Sequence, residues 1–157
     1  MKTILSFKKD SKPQTLIIGC GRLGANLASR LSDAGDNVTI INDNADDFRK
    51  LSPSFGGLTF EGDGTNFELL TAAGIRNCNR VVAVTNDDTT NLMVAQIARK
   101  KFDVRQVIAR INDPERGAVC EEMAIQTICP FDLASQALMA MIKDPAGPDS
   151  SKGELPL

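Results

Sequence analysis

The hexapeptide Gly19-Cys20-Gly21-Arg22-Leu23-Gly24 constrains this chain more than any other stretch. It follows the apolar run Leu16-Ile17-Ile18 and opens a segment where Leu23, Leu27, Ala28 and Leu31 recur at helical spacing. Between a strand and a helix, each glycine of a G-x-G-x-x-G has its own job. Gly19 permits the tight turn, Gly21 lets a pyrophosphate approach the backbone, and Gly24 lets helix and strand pack closely. The helix that follows aims free N–H groups and the positive end of its dipole over the loop, which favours an anion there.

Strand and helix patterns alternate along the rest of the chain. Short β-branched and apolar runs predict strands at 16–18, 38–41, 58–60, 81–84, 107–109 and 127–129. Helical spacing predicts helices at 22–31, 46–51, 66–73, 87–101, 114–123 and 131–142. Gly35 and Gly74 follow helical segments and suit the left-handed position that stops a helix. Short connections between alternating elements imply an α/β domain with a parallel sheet. Right-handed crossovers and a glycine loop after the first strand favour a Rossmann-like, doubly wound sheet of order 3-2-1-4-5-6. The expected domain covers 14–143, with a basic arm over 1–13 and a Pro-, Gly- and Ser-rich tail over 144–157, both read as disordered.

With 157 residues, the chain has room for one domain with a full core. A net charge of -2 argues against a nucleic-acid partner, which would call for a basic face. Four cysteines without a C-x-x-C pair, and no histidine, make a structural zinc site improbable and fit a reducing cytosol. No apolar run approaches the roughly 20 residues that span a bilayer, and no secretory signal opens the chain. The expectation is a soluble cytoplasmic protein without direct membrane insertion.

Ligands in such sheets bind beyond the carboxyl ends of the strands, where strand order reverses. Polar residues gather at those ends. The glycine loop with Arg22 follows the first strand, and Asn42, Asp43 and Asn44 follow the second. Asp63, Gly64 and Thr65 follow the third, Thr85, Asn86 and Asp87 the fourth, and Arg110 ends the fifth. Structural roles compete for several of them. Asp43, Asn44 and Asp63 suit turns, while Asp87 and Asp88 suit helix caps. Arg22 at the positive end of a helix is unfavourable without an anion, so phosphate contact is preferred there. Arg110 either serves the cleft or pairs with a carboxylate such as Glu115. Cys20 sits where a helix N-terminus lowers thiol pKa, yet a small buried filler is the simpler reading.

Asn42 stands where Asp or Glu normally accepts the ribose hydroxyls. One amide oxygen in place of two carboxylate oxygens costs about 1–2 kcal/mol of that interaction. The amide also removes a charge that would repel a 2′-phosphate. Asp43 takes over the diol if the strand runs one residue further.

The motifs GCGRLG, VTIIND, EGDGT, VVAVTNDDTTN, VIARINDPE and TICP, in this order over residues 14 to 143, resemble the potassium-transport nucleotide-binding domain, also called the RCK, KTN or TrkA-N domain. That resemblance implies a non-catalytic sensor of NAD, NADH, ATP, ADP or AMP. The sensor would be a regulatory subunit of a Trk- or Ktr-type potassium uptake system or a potassium channel. Carried over by motif, Gly19, Cys20, Gly21, Arg22, Leu23 and Gly24 would form the phosphate loop, with Arg22 toward a terminal phosphate. Asn42 and Asn44 would flank the ribose, and Asp63 and Gly64 the adenine edge, with Asp43 and Thr65 next to them in sequence. Thr85 and Asn86 would form the floor near the phosphates, with Asp87 and Arg110 kept as further candidates. Phe131 stands where some members place a metal-holding Glu, so no metal is expected. The sequence ends where most members continue into a second lobe, which implies a one-lobed version.

Partners implied are a potassium-translocating membrane subunit, holding the protein at the inner face of the cell membrane, and further RCK-type chains in a homo- or hetero-oligomer. The last helix carries Phe131, Ala134, Leu138, Met141 and Ile142 on one face, widened by Leu133, Ala137 and Met139. That face either packs on its own sheet or crosses to a neighbour. Two other functions compete: a small NAD-dependent oxidoreductase, disfavoured by the absence of His and Tyr, and an interaction module that has lost nucleotide binding.

Overall fold

The structure is a computed structural model that describes residues 12–144. Apart from Lys12, Pro13 and Asp144, the expected arm and tail lie outside the described residues. Six strands, β1 (Gln14–Ile18), β2 (Asn37–Asn42), β3 (Leu58–Glu61), β4 (Arg80–Ala83), β5 (Gln106–Arg110) and β6 (Gln126–Ile128), form one sheet. Every pairing is parallel, and the order is the expected β3-β2-β1-β4-β5-β6. β1 pairs with both β2 and β4, so the strand order reverses there.

The helices are α1 (Arg22–Asp33), α2 (Phe67–Ala72), α3 (Asp88–Lys100), α4 (Pro114–Glu122) and α5 (Pro130–Lys143). Because right-handed crossovers run one way from β1 to β3 and the other way from β3 onward, they cover opposite faces. On one face Ala25 and Ala28 of α1 bury Ile17, Ile40, Val82 and Val84. On the other, Leu70 of α2 and Val94, Ala95 and Ala98 of α3 bury Leu16, Ile18, Val81 and Val107. Central strands covered on both sides require side chains that are apolar throughout, which is why these runs do not alternate.

Local chemistry sets the element ends. Gly35 (φ +91°) follows α1, and the Gly35 and Asp36 N–H groups donate back to the Ser32 and Leu31 carbonyls, each at 3.0 Å. Asn66, Asp87 and Asp113 cap α2, α3 and α4 with side-chain oxygens 2.8–3.0 Å from the first-turn N–H groups. The segment expected as a helix at 46–51 is instead a 3-10 helix, Ala45–Lys50. Its bonds, such as Asp47 N–H to the Asn44 carbonyl, span three residues, and Pro53 lies too near for further turns. A 3-10 turn not expected from the sequence, Ile75–Asn77, follows Gly74.

α5 does not pack on its own sheet. No residue of α5 is buried among the described residues, and Leu133, Leu138, Met139, Met141 and Ile142 are 52–71% exposed. Its link to the body is at its start, where the Arg110 guanidinium lies 5.8 Å from the centre of the Phe131 ring.

Candidate functional site

Above the carboxyl ends of β1, β2, β3 and β4 lies an open cleft of about 630 Å³. Gly19 and Gly21 form one wall, Asn42, Asp43, Asp47 and Lys50 a second, and Gly62, Asp63 and Gly64 a third. Thr85, Asn86, Asp87 and Thr90 close the base. The glycines divide their duties. At Gly19 (φ +106°) a Cβ would stand 2.9 Å from the Thr85 backbone nitrogen, and at Gly24 it would strike the Gly19 carbonyl. At Gly21 a Cβ would meet nothing within 4 Å. Gly19 and Gly24 are therefore required by the fold, whereas Gly21 leaves room over the loop for another molecule.

α1 differs from α2, α3 and α4 in having no side-chain cap and no acid in its first turn. Its first N–H groups and positive dipole end remain available beside Gly21.

Hydrogen bonds tie the strand tips into one rim. The Gly19 N–H donates to the Ile41 carbonyl at 2.8 Å, and the Gly62 N–H to the Asn42 carbonyl at 2.9 Å. The Asn42 Oδ1 accepts the Cys20 N–H at 2.8 Å. Its Nδ2 donates to the Asn44 carbonyl and to Asp47 Oδ2, both at 2.9 Å. The Lys50 ammonium donates to the other Asp47 oxygen at 2.6 Å. Hydrogen bonds from Lys50 and Asn42 hold the Asp47 carboxyl below its ordinary value. Burial, reinforced by the nearby Asp47 charge and partly offset by Lys50, pushes the Cys20 thiol up. Of the two readings of Cys20, the structure supports the buried filler over the activated thiol. Cys20 is fully buried, so desolvation outweighs the helix terminus.

At the base, Asp87 is a helix cap whose side chain accepts from the Thr90 N–H and Oγ1 at 2.8 and 2.6 Å. These bonds lower its pKa, and the Thr65 N–H and hydroxyl do the same for Asp63. Asp88 accepts from the Asn112 and Asp113 N–H groups at 2.9 and 3.0 Å, joining α3 to the loop before α4. Asn86 accepts from Arg110 at 3.1 Å. Arg110 thus takes Asn86 and the Phe131 ring as partners rather than Glu115.

Of the residues expected at the site, Gly19, Gly21, Asn42, Asp43, Asp63, Gly64, Thr85, Asn86 and Asp87 line the cleft. Cys20 and Gly24 lie beneath the loop, and Leu23 is exposed on α1. Asn44 caps the 3-10 helix, accepting the Asp46 N–H at 3.0 Å, and Thr65 closes the turn on Asp63. Arg22 lines a separate shallow depression with Asn26, Ser29 and Lys50, and Arg110 stands behind Asn86.

Sequence reasoning missed Asp47, Lys50 and Thr90 in the lining, and Asn91 beneath it. Asn91 is fully buried. Its Oδ1 accepts the Thr85 N–H and hydroxyl at 2.9 and 2.7 Å, and its Nδ2 donates to the Thr85 and Arg110 carbonyls at 3.0 and 2.8 Å. A signal existed: Asn91 shares the buried stripe of α3 with Val94, Ala95 and Ala98. Asp47 gave none, since an acid in a short polar helix reads as surface. No cluster of metal-ligating side chains occurs among the described residues.

The TrkA-N domain family matches residues 15–130. The Trk system potassium uptake protein TrkA of Streptomyces coelicolor is 37% identical over 134 residues, 85% of this chain and 60% of that protein. The chain thus spans about three fifths of that relative's length. Among solved structures, GsuK bound to ADP superposes with a TM-score of 0.70 at 21% identity, covering 88% of this chain and 36% of that one. The GsuK channel bound to NAD gives 0.62 at 17% identity, covering 76% of this chain and 22% of that one. A Shewanella denitrificans Kef CTD in AMP-bound form gives 0.68 at 19% identity, covering 88% and 84%. At these identities the solved neighbours establish the fold alone.

Proposed function

The chain belongs to the TrkA-N family, and from that premise we propose that its cleft binds an adenine nucleotide (NAD, NADH, ATP, ADP or AMP) as a regulatory signal. The observation that carries this reading is the uncapped N-terminus of α1 beside Gly21, where the backbone stands open at the head of the cleft. Phosphates would lie over Gly21 and the first turn of α1. The ribose and base would run toward Asn42, Asp43 and Asp63, with Thr85, Asn86 and Asp87 beneath. GsuK structures with ADP and NAD and a Kef structure with AMP support a nucleotide as the occupant.

The nucleotide acts by occupancy and is not consumed. Three carboxylates in the lining, Asp47, Asp63 and Asp87, are held below their ordinary pKa and make poor proton donors at neutral pH. Asn86 at the base is bonded to Arg110, which lies over Phe131, so a change in the cleft has a short physical route to α5. The apolar side chains of α5 join a second chain of this kind, and the assembly regulates a potassium-translocating membrane subunit from the cytoplasmic side. The relative's name, Trk system potassium uptake protein, supports that destination. No described helix is long and apolar enough to cross a membrane.

Thermal melting with a panel of adenine nucleotides tests the reading. A ligand at a hundredfold excess over its Kd adds about 2.7 kcal/mol. For a domain of this size that raises Tm by roughly 5–11 °C. A flat response to the whole panel would refute nucleotide binding.

A further inference from the structure

We infer that Asp47 reads the ribose hydroxyls of the nucleotide, and that Asn42, at the end of β2, is the positioning residue that aims it. This rests on the nucleotide reading of the cleft and names the group that selects the ligand.

The Asn42 amide is already committed. Both its hydrogens are taken, by the Asn44 carbonyl and Asp47 Oδ2, and its oxygen accepts the Cys20 N–H of the glycine loop. The residue is 8% exposed. It therefore has no donor and only a single lone pair to offer a diol.

Asp47 has what Asn42 lacks. Its carboxylate lies in the same wall of the cleft and offers about four acceptor positions. One oxygen takes the Asn42 amide at 2.9 Å and the other the Lys50 ammonium at 2.6 Å. Each oxygen keeps one position free, the pattern that two adjacent hydroxyl donors require. Held between two partners, the carboxylate loses little freedom on binding. Asp43 also lines the cleft, but its side chain is exposed and has no hydrogen-bond partner among the described residues. Fixing it would cost rotamer entropy that Asp47 does not lose.

The charge of this wall names the ligand class. In that wall Asp43 and Asp47 outnumber Lys50. A ribose with free 2′- and 3′-hydroxyls suits it, and a 2′-phosphate would meet net negative charge. The departure from an acid at the end of β2 thus moves the diol acceptor one short helix onward and leaves the preference for an unphosphorylated ribose in place.

Calorimetric titration of the full chain with ADP and 2′-deoxy-ADP tests this. Hydrogen bonds to a carboxylate predict that the parent binds ADP about tenfold or more tightly than 2′-deoxy-ADP. Asp47→Asn keeps an oxygen for Asn42, and should bring the two ligands within about threefold of each other. Asp43→Asn should keep the parental ratio. Lys50→Met, which removes one of the two groups that hold the carboxylate and spares the other, should narrow the ratio without abolishing it. Equal weakening of both ligands in Asp47→Asn would mark a structural role and overturn the inference. So would loss of the ratio in Asp43→Asn alone, or in Lys50→Met. A parent that binds both ligands equally would sink the inference and spare the nucleotide reading. A parent that binds neither, with a flat melting response to the whole nucleotide panel, would sink both.

Discussion

Replacing Asn91 with alanine tests whether one amide holds the base of the cleft together. The side chain bridges β4 and β5 at the point where both strands end, through the Thr85 N–H and carbonyl and the Arg110 carbonyl. Its orientation follows from its partners, since the oxygen faces an N–H and the nitrogen faces two carbonyls. Alanine leaves those three backbone groups without the amide. A buried polar group stripped of its partner costs about 1–3 kcal/mol, and half-buried Thr85 and Arg110 place these at the lower end. The sum is about 3–5 kcal/mol, a large part of the roughly 5–15 kcal/mol that holds a domain folded. With a urea m-value of about 2 kcal/mol/M, the unfolding midpoint followed by far-UV circular dichroism should fall by roughly 1.5–2.5 M. Asn91→Asp provides the cross-check, because its second oxygen would face the two carbonyls. That contact raises the folded-state pKa of the new carboxyl above its unfolded value. Its contribution is then present at low pH and lost as pH rises, so this variant should be more stable near pH 5 than near pH 8, as a fraction of about one charge titrates. A loss below about 1 kcal/mol in the alanine variant at unchanged m, or no pH dependence in the aspartate variant, would refute the clamp.

Gly21→Ala should leave Tm unchanged while abolishing the nucleotide-induced rise, whereas Gly24→Ala should lower Tm itself because its methyl strikes the Gly19 carbonyl. Equal Tm losses in the two would contradict the division of labour in the loop. Asp47, Asp63 and Asp87 all lie below the ordinary value of 3.8 in the folded state. Their stabilisation is complete above that value and is lost as pH falls through the lowered ones. Asp63→Asn and Asp87→Asn should therefore make the acid descent of Tm below about pH 4 shallower, modestly so for exposed groups. For α5, Leu138→Asp with Ile142→Asp should convert an oligomer into a monomer in static light scattering without lowering Tm of the body, since neither residue is buried there. An unchanged mass would remove α5 from the interface.

The fold was legible because its determinants are local. Apolar runs such as Val81-Val82-Ala83 announce strands buried on both faces, and Gly35 and Gly74 mark helix ends through the positive φ that each adopts. With alternating elements and a glycine loop after β1, chirality leaves few strand orders to choose from. The same logic brings polar segments from five strand ends to one edge; four of them line the cleft, and Arg110 of the fifth stands behind Asn86.

What needed the tertiary structure was the partner of each polar group. Asn42 looked like a weakened ribose contact, yet its amide is spent on Cys20, 22 residues away, and on Asp47. Asn91 meets the Arg110 carbonyl across 19 residues, and Arg110 itself chose Asn86 over Glu115. For α5 the spacing of apolar residues foretold a greasy face, but only the packing showed that its own sheet leaves it uncovered. Backbone conformation answers to neighbours in sequence, so residue types and their spacing determined the architecture. Hydrogen bonds and burial answer to whatever the finished fold carries within a few ångströms, and that proximity decided which side chains face the cleft and which are consumed in holding it open.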